Sequence, residues 1–174
     1  SLRDARIEFQ VEETGTTFAE NAVLKATTYA RLSGLCTLAD DSGLEVDALG
    51  GEPGVMSSRY AGPNATDADR VRYLLKKLES IPLEARSARF RAAIAIATPT
   101  GRVVLVEGTC EGLIALQPRG EHGFGYDPVF YLPERGKTMA ELTPEEKNRI
   151  SHRARAAAKA KRLISELIAQ GECR

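Results

Sequence analysis

Residues 89–108 place the tightest limit on the fold. Arg89 to Thr98 and Arg102 to Gly108 are two largely apolar segments separated by Pro99-Thr100-Gly101. Such runs on either side of a Pro/Gly turn read as the strands of a hairpin. A hairpin needs further strands beside it and helices over its faces before it is stable. The rest of the chain offers both. Arg6 to Val11 and Leu113 to Leu116 have short strand patterns, and Cys36 to Ala39 is a brief apolar run that ends in the acidic turn Asp40-Asp41-Ser42-Gly43. Leu44 to Leu49 reads as one more short strand. Thr17-Phe18-Ala19-Glu20 and Thr143-Pro144-Glu145-Glu146 are capping boxes, in which a threonine and a glutamate satisfy each other's amides at a helix start. They predict a helix over Phe18 to Leu32 that stops at Gly34, and another from Pro144 to about Ala169 with a break near Ser151. A third helix is expected over Asp67 to Leu78. Strands interleaved with helices, with a hairpin among them, predict an α/β fold with a mixed sheet.

The chain has 174 residues, so one domain with its own core is expected over 1–174. Lysines plus arginines number 24 and aspartates plus glutamates 24, so no overall field points to nucleic acid or to a membrane. No apolar run approaches the ~20 residues of a membrane span. Cys36, Cys110 and Cys173 are far apart and form no metal-type grouping with the two histidines. They are expected to be reduced thiols in a cytoplasmic protein.

Five groups of residues could carry chemistry. Asp40-Asp41-Ser42-Gly43 follows a strand, where open α/β sheets place ligands; it also has the composition of a plain turn. Alternation along a strand would aim only one of the two aspartates at a site. Glu12 and Glu13, ahead of the first helix, are either a hard-cation ligand pair or a solvated loop. Asn21 and Lys25 are four apart on one helix face, which suits a phosphate-facing cation or an ordinary surface lysine. In Gly123-Phe124-Gly125-Tyr126-Asp127-Pro128 the glycines permit close backbone approach, Phe124 could stack on a base, and exposed amides could read its edge; a tight loop with buried aromatics is the other reading. Lys147, His152 and Arg153 could grip phosphate or a carbonyl-bearing base. They sit in a basic stretch with Arg149, Arg155, Lys159, Lys161 and Arg162, which is either a solvated helix face or a nucleic-acid surface, though it lacks interleaved aromatics.

Taken in order, these groups resemble the inosine triphosphate pyrophosphatase family, which acts on non-canonical purine nucleotides. The matching blocks are Glu-Glu-Thr-Gly-x-Thr-Phe-x-Glu-Asn-Ala-x-x-Lys-Ala (12–26), Ala-Asp-Asp-Ser-Gly-Leu (39–44) and Leu-Gly-Gly-x-Pro-Gly (49–54). They continue with Ser-Arg-Tyr (58–60), Gly-Phe-Gly-Tyr-Asp-Pro (123–128), Gly-Lys-Thr (136–138), Ala-Glu-Leu (140–142), Glu-Glu-Lys (145–147) and Ile-Ser-His-Arg (150–153). The resemblance implies an elongated mixed sheet flanked by helices, in two lobes with a central cleft, and commonly a homodimer. It implies Mg²⁺ as cofactor, with Asp41 as catalytic acidic residue and metal ligand, and Glu13 or else Glu12 as the second ligand. Ser42, Phe124, Gly125, Tyr126, Asp127, Lys147, His152 and Arg153 match substrate contacts. The reaction implied is hydrolysis of ITP, dITP or XTP to the monophosphate and pyrophosphate. Arg153 and backbone amides would donate to the 6-oxo group.

Members of that family begin with an apolar strand and a Thr/Ser-x-Asn-x-x-Lys phosphate loop. The sequence starts at the stretch just before Glu12, so the resemblance implies a fold short of that strand and loop, with impaired activity. Two other functions compete with the enzymatic one: non-catalytic nucleotide binding, and nucleic-acid binding through the basic C-terminal helix.

Overall fold

The computed structural model describes residues 2–173. Five strands form one sheet in the order of the chain: β1 (Thr37–Val46), β2 (Ser87–Ala97), β3 (Val103–Ile114), β4 (Phe130–Leu132) and β5 (Lys137–Thr138). Every pairing among them is antiparallel. The long β2–β3 hairpin is the centre, with Ala97 opposite Val103 at the turn and Ser87 opposite Leu113 at the far end. Four α-helices accompany the sheet: α1 (Phe18–Ser33), α2 (Asp67–Lys77), α3 (Pro144–Ile150) and α4 (His152–Ala169). The α/β class and the flanking helices are as the sequence implies.

The helix boundaries follow from the caps. Thr17 and Glu20 form a reciprocal box at the start of α1, and Gly34 ends it in the left-handed conformation. Thr143 and Glu146 do the same for α3. Ser151 closes α3 and caps α4 with its side chain, so the expected break is a change of direction at one residue.

Several strand expectations are corrected. Arg6 to Val11 is not a strand. Arg6 has a positive φ of 54°, and the Ile7 amide donates to the Leu2 carbonyl in a turn. The turn takes up the Arg6 and Ile7 amides that strand pairing would need. Asp40 to Gly43 is not a turn: β1 runs through it, paired with β2 from Thr37–Ala97 to Val46–Ala88. Ten consecutive cross-strand partners override the turn preference of Asp, Ser and Gly. Leu44 to Val46 is the end of that same strand, and Leu113 and Ile114 end β3. The expected three free thiols are also corrected. Cys36 and Cys173 form a disulfide with Cα atoms 5.4 Å apart, joining the residue before β1 to the segment after α4; Cys110 alone is free and is buried.

The sheet is packed differently at its two ends. Near the hairpin turn both faces are covered. Ala22, Ala26 and Ala30 of α1 lie on Ala93, Ala95 and Ala97. Ala156, Ala160 and Leu167 of α4 lie on Ala92, Ile94 and Ile96 of the opposite face. Alanine on both sides lets helix and sheet approach closely. Gly108 of β3 extends this, because a side chain there would collide with the His152 carbonyl and the Ala156 backbone. At the other end Leu44, Val71, Leu74, Phe90, Ile114, Tyr126, Phe130, Met139 and Leu142 form a second core. A cleft opens beside this second core, whose Phe90, Tyr126 and Leu142 contribute to its lining. Among the described residues no helix is long and apolar enough to cross a membrane.

Candidate active site

β1 divides the site. Asp41 pairs in register with Ala93, on the face covered by α1, whereas Asp40 and Ser42 pair with Ile94 and Ala92, on the α4 face. On the α1 face Lys25 Nζ donates to Glu13 Oε1 at 2.7 Å and to Asp41 Oδ1 at 3.2 Å. Asn21, fully buried, donates from Nδ2 to the other Asp41 oxygen at 3.2 Å and accepts from the Gly15 amide at 2.8 Å. Glu13, not its exposed neighbour Glu12, is therefore the acid that joins Asp41.

Burial raises the Asp41 carboxyl above the ordinary aspartate range, against the pull of Lys25 and Asn21, and Glu13 adds to the rise. Burial also acts to lower Lys25, but its bonds to Glu13 and Asp41 prevail and raise it. The two rises have different causes: burial penalises the Asp41 carboxylate, whereas two carboxylates stabilise the Lys25 ammonium. Glu13 and Asp41 offer hard oxygen donors around one positive charge, the donor chemistry that suits Mg²⁺ with two protein carboxylates and phosphate oxygens. Among the described residues no group of three or more His, Cys, Asp or Glu side chains is placed to hold a metal.

On the other face lies a cleft of about 420 Å³. Ser42, Phe90, Phe124, Lys147, His152 and Arg153 line it together with the Gly123–Asp127 loop. Phe124 is 60% exposed, with Lys147 Nζ 4.6 Å and the Arg153 guanidinium carbon 5.4 Å from its ring centre. Arg153 Nε donates to Asp40 at 3.3 Å. Lys147 is paired with the buried Asp127.

The loop is held by carboxylates. Asp127 accepts from the Phe124 amide at 2.9 Å, and Asp67, at the start of α2, accepts from the Gly125 amide at 2.6 Å. Gly123 and Gly125 both have positive φ, and a side chain at Gly123 would strike the Asp127 carboxylate. Tyr126 is buried and donates its hydroxyl to the Ser57 carbonyl at 2.9 Å. The expectation that loop amides read a base edge is thus corrected for Phe124 and Gly125, whose N–H groups are already engaged. Tyr126 and Asp127 shape the loop from beneath, and Phe124 is the member presented to the cleft.

His152 is 6% exposed, its ring stacked at 4.9 Å on Phe90, and its Nδ1 is buried with no hydrogen-bond partner. Burial, with Arg153 and Lys147 adding to it, pushes its pKa down to about 3, so the imidazole is neutral. A buried ring nitrogen without a partner at the wall of a cleft is an open recognition position. The basic C-terminal helix contributes less free charge than its composition suggests. Arg155 donates to the Thr109 carbonyl and Lys159 to the Glu107 carbonyl, each at 2.7 Å, so these two cations cover β3.

Sequence reasoning missed Asp67, Arg70 and Ser57 as parts of the cleft. Asp67 was legible only as a helix-start residue, and its reach to Gly125 spans 58 positions of the chain. Ser57 precedes the Ser-Arg-Tyr block and gives its hydroxyl to close packing against β1, where it accepts from the Leu44 amide at 2.9 Å.

The chain is similar to known proteins along most of its length. The dITP/XTP pyrophosphatase of Geobacillus kaustophilus (strain HTA426) is 60% identical over 168 residues, covering 97% of this chain and 82% of that protein. The dITP/XTP pyrophosphatase of Bacillus subtilis (strain 168) is 49% identical over 164 residues, 94% of this chain and 83% of that protein. Among solved structures, a HAM1 protein from Coxiella burnetii superposes with a TM-score of 0.89 at 47% identity, covering 94% of this chain and 84% of that one. The Staphylococcus aureus Ham1 protein gives 0.87 at 42% identity, with 95% and 85% covered. The family model described as the Ham1 family matches residues 1–163, and the chain with its divided β1 site belongs to that family.

Proposed function

We propose that this chain hydrolyses dITP, ITP and XTP to the monophosphate and pyrophosphate, removing non-canonical purines from the nucleotide pool. The observation that carries the reading is the arrangement along β1: the Glu13–Lys25–Asp41 cluster on one face and a base-sized cleft floored by Ser42 on the other. The relatives named dITP/XTP pyrophosphatase support it.

In this reaction a water oxygen bonds to the α-phosphorus, the bridging P–O bond breaks, and pyrophosphate leaves with the electron pair. Asp41 orients the water and accepts its proton, while Asn21 fixes the carboxylate. Lys25 compensates phosphate charge. Glu13 and Asp41 are the residues that would hold Mg²⁺, which when bound supplies charge neutralisation to the phosphates. Phe124 stacks on the base, and Arg153 donates to its 6-oxo group, where adenine would present N–H to N–H. Ser42, Lys147 and His152 complete the substrate contacts. A cytoplasmic location and a homodimer belong to the same proposal, and sedimentation of the full chain checks the second.

The deciding experiment follows pyrophosphate and monophosphate from ITP, dITP, XTP, ATP and GTP with Mg²⁺. Pyrophosphate release from the first three, well ahead of ATP and GTP, is expected. Binding of ITP without turnover, or release of orthophosphate with a nucleoside diphosphate, overturns the reading.

A further inference from the structure

The two adjacent aspartates of β1 cannot share a task, because strand alternation sends them to opposite faces. Asp41 belongs to the Lys25 cluster. Asp40 is on the α4 face, where its carboxylate accepts from Arg153 Nε at 3.3 Å, a bond between residues 113 positions apart. Asp40 does not line the cleft, whereas Arg153 does. We propose that Asp40 is the positioning residue for Arg153, and through it a determinant of selectivity for 6-oxo purines; this rests on the pyrophosphatase reading above.

The argument is one of donor geometry. An arginine has five N–H donors in a planar fork and no acceptor. Engaging Nε from behind leaves the four N–H groups of the two terminal nitrogens for the cleft. It also fixes the plane of the fork, which a long side chain on a helix start would otherwise sample freely. The second restraint is Phe124, whose ring centre is 5.4 Å from the guanidinium carbon. Asp40 and Phe124 thus hold one cation from its edge and from its face. A cation held this way meets the base carbonyl without first having to be ordered. Both members of the pair are about half exposed, at 45% for Asp40 and 46% for Arg153. Exposed pairs contribute little to folding, so the contact is better explained by orientation than by stability.

The test measures kcat and KM for ITP and ATP, with Mg²⁺, on the full chain and on Asp40→Ala, Asp40→Glu, Arg153→Ala and the double variant Asp40→Ala/Arg153→Ala. Asp40→Ala should raise KM for ITP about tenfold, the scale of one charge-assisted hydrogen bond, with kcat and the ATP constants changed less than about twofold. Asp40→Glu should restore most of the loss. In the Arg153→Ala background, Asp40→Ala should add nothing. If Asp40→Ala lowers the melting temperature, Asp40→Asn provides the same comparison, with a smaller shift in KM. Equal losses for ITP and ATP, or a full Asp40 effect that persists without Arg153, overturn the proposal. A selective loss in Arg153→Ala beside a silent Asp40→Ala overturns the positioning role and leaves Arg153 as base reader. Absence of any ITP preference in the unmodified chain overturns the pyrophosphatase reading, and this inference with it.

Discussion

The two faces of β1 solve opposite problems with the same kinds of residue. On the α1 face, acids outnumber the cation that serves them: Glu13 and Asp41 share Lys25, and burial keeps the Asp41 carboxyl high. On the α4 face, cations gather at an aromatic ring: Lys147 and Arg153 both approach Phe124, each tied back to an aspartate. The first arrangement leaves negative charge that a divalent cation and phosphates can balance. The second leaves hydrogen-bond donors and a ring face, which suit a flat carbonyl-bearing base. A single strand can divide these tasks because its side-chain period is two, so Asp41 and Ser42 are neighbours in sequence yet lie on opposite faces of the sheet.

The sharpest way to break this division is at Asp41. Asp41→Asn keeps the size and the bond from Asn21 but removes the charge that Lys25 answers. Turnover of ITP should fall by ~100-fold or more, the scale of losing a positioned base or metal ligand. Base affinity should be retained, since the cleft lies on the other face. Equilibrium binding of IMP alongside kcat checks both halves. Near-normal turnover in a folded variant would show that the α1 face does not perform the chemistry.

Much of this was legible in the sequence, for reasons that differ by region. The α1 start, its Gly34 stop and the change of direction at Ser151 were readable because caps are local: the donor and acceptor are within a few residues of each other. The hairpin was readable for the same reason. Asp41 and Arg153 could be singled out as chemistry-bearing types. Their placement on opposite faces could not, because Asp40 to Gly43 has turn composition and only its pairing with β2 makes it strand. The loop amides looked free in sequence, but Asp67 and Asp127 had already claimed two of them. The Cys36–Cys173 bridge was invisible for a similar reason, since its halves are 137 residues apart.

Acid distinguishes the two faces by sign. His152, buried among Phe90, Arg153 and Lys147, has a folded pKa of about 3 against about 6.5 when unfolded. Its folded pKa is depressed, so in acid the unfolded chain takes up the proton first. Its contribution is fully present above about pH 6.5 and is lost as pH falls from there towards 3. Near pH 5 the loss is about 2 kcal/mol. Asp41 works the other way, because a raised carboxyl favours the folded state as the pH falls. Denaturant midpoints between pH 7 and 5, above the range where the lowered carboxylates such as Asp47 and Asp67 begin to matter, isolate the histidine. His152→Phe, which keeps a ring against Phe90, should flatten the decline. An unchanged slope in that variant would assign the acid sensitivity elsewhere.

The smallest effects separate the two jobs within the α4 face. Arg153 gives donors without acceptors, so it favours a base with oxygen at position 6 and disfavours one with an amino group there. Phe124 offers only a surface, and every base has a face to stack on it. Arg153→Ala should therefore lower kcat/KM for ITP about tenfold while barely changing ATP, compressing the ratio between them. Phe124→Ala should lower both substrates together by a similar factor and leave the ratio intact. It also removes the ring that Lys147 and Arg153 approach, so a small secondary loss of ITP preference would measure how much of the Arg153 alignment comes from Phe124 as opposed to Asp40. Measuring kcat/KM for the two nucleotides in both variants and in their combination resolves the question. Should Arg153→Ala reduce ITP and ATP alike, the arginine serves phosphate on this face too. The division between a phosphate face and a base face would then fail at the residue that best defines it.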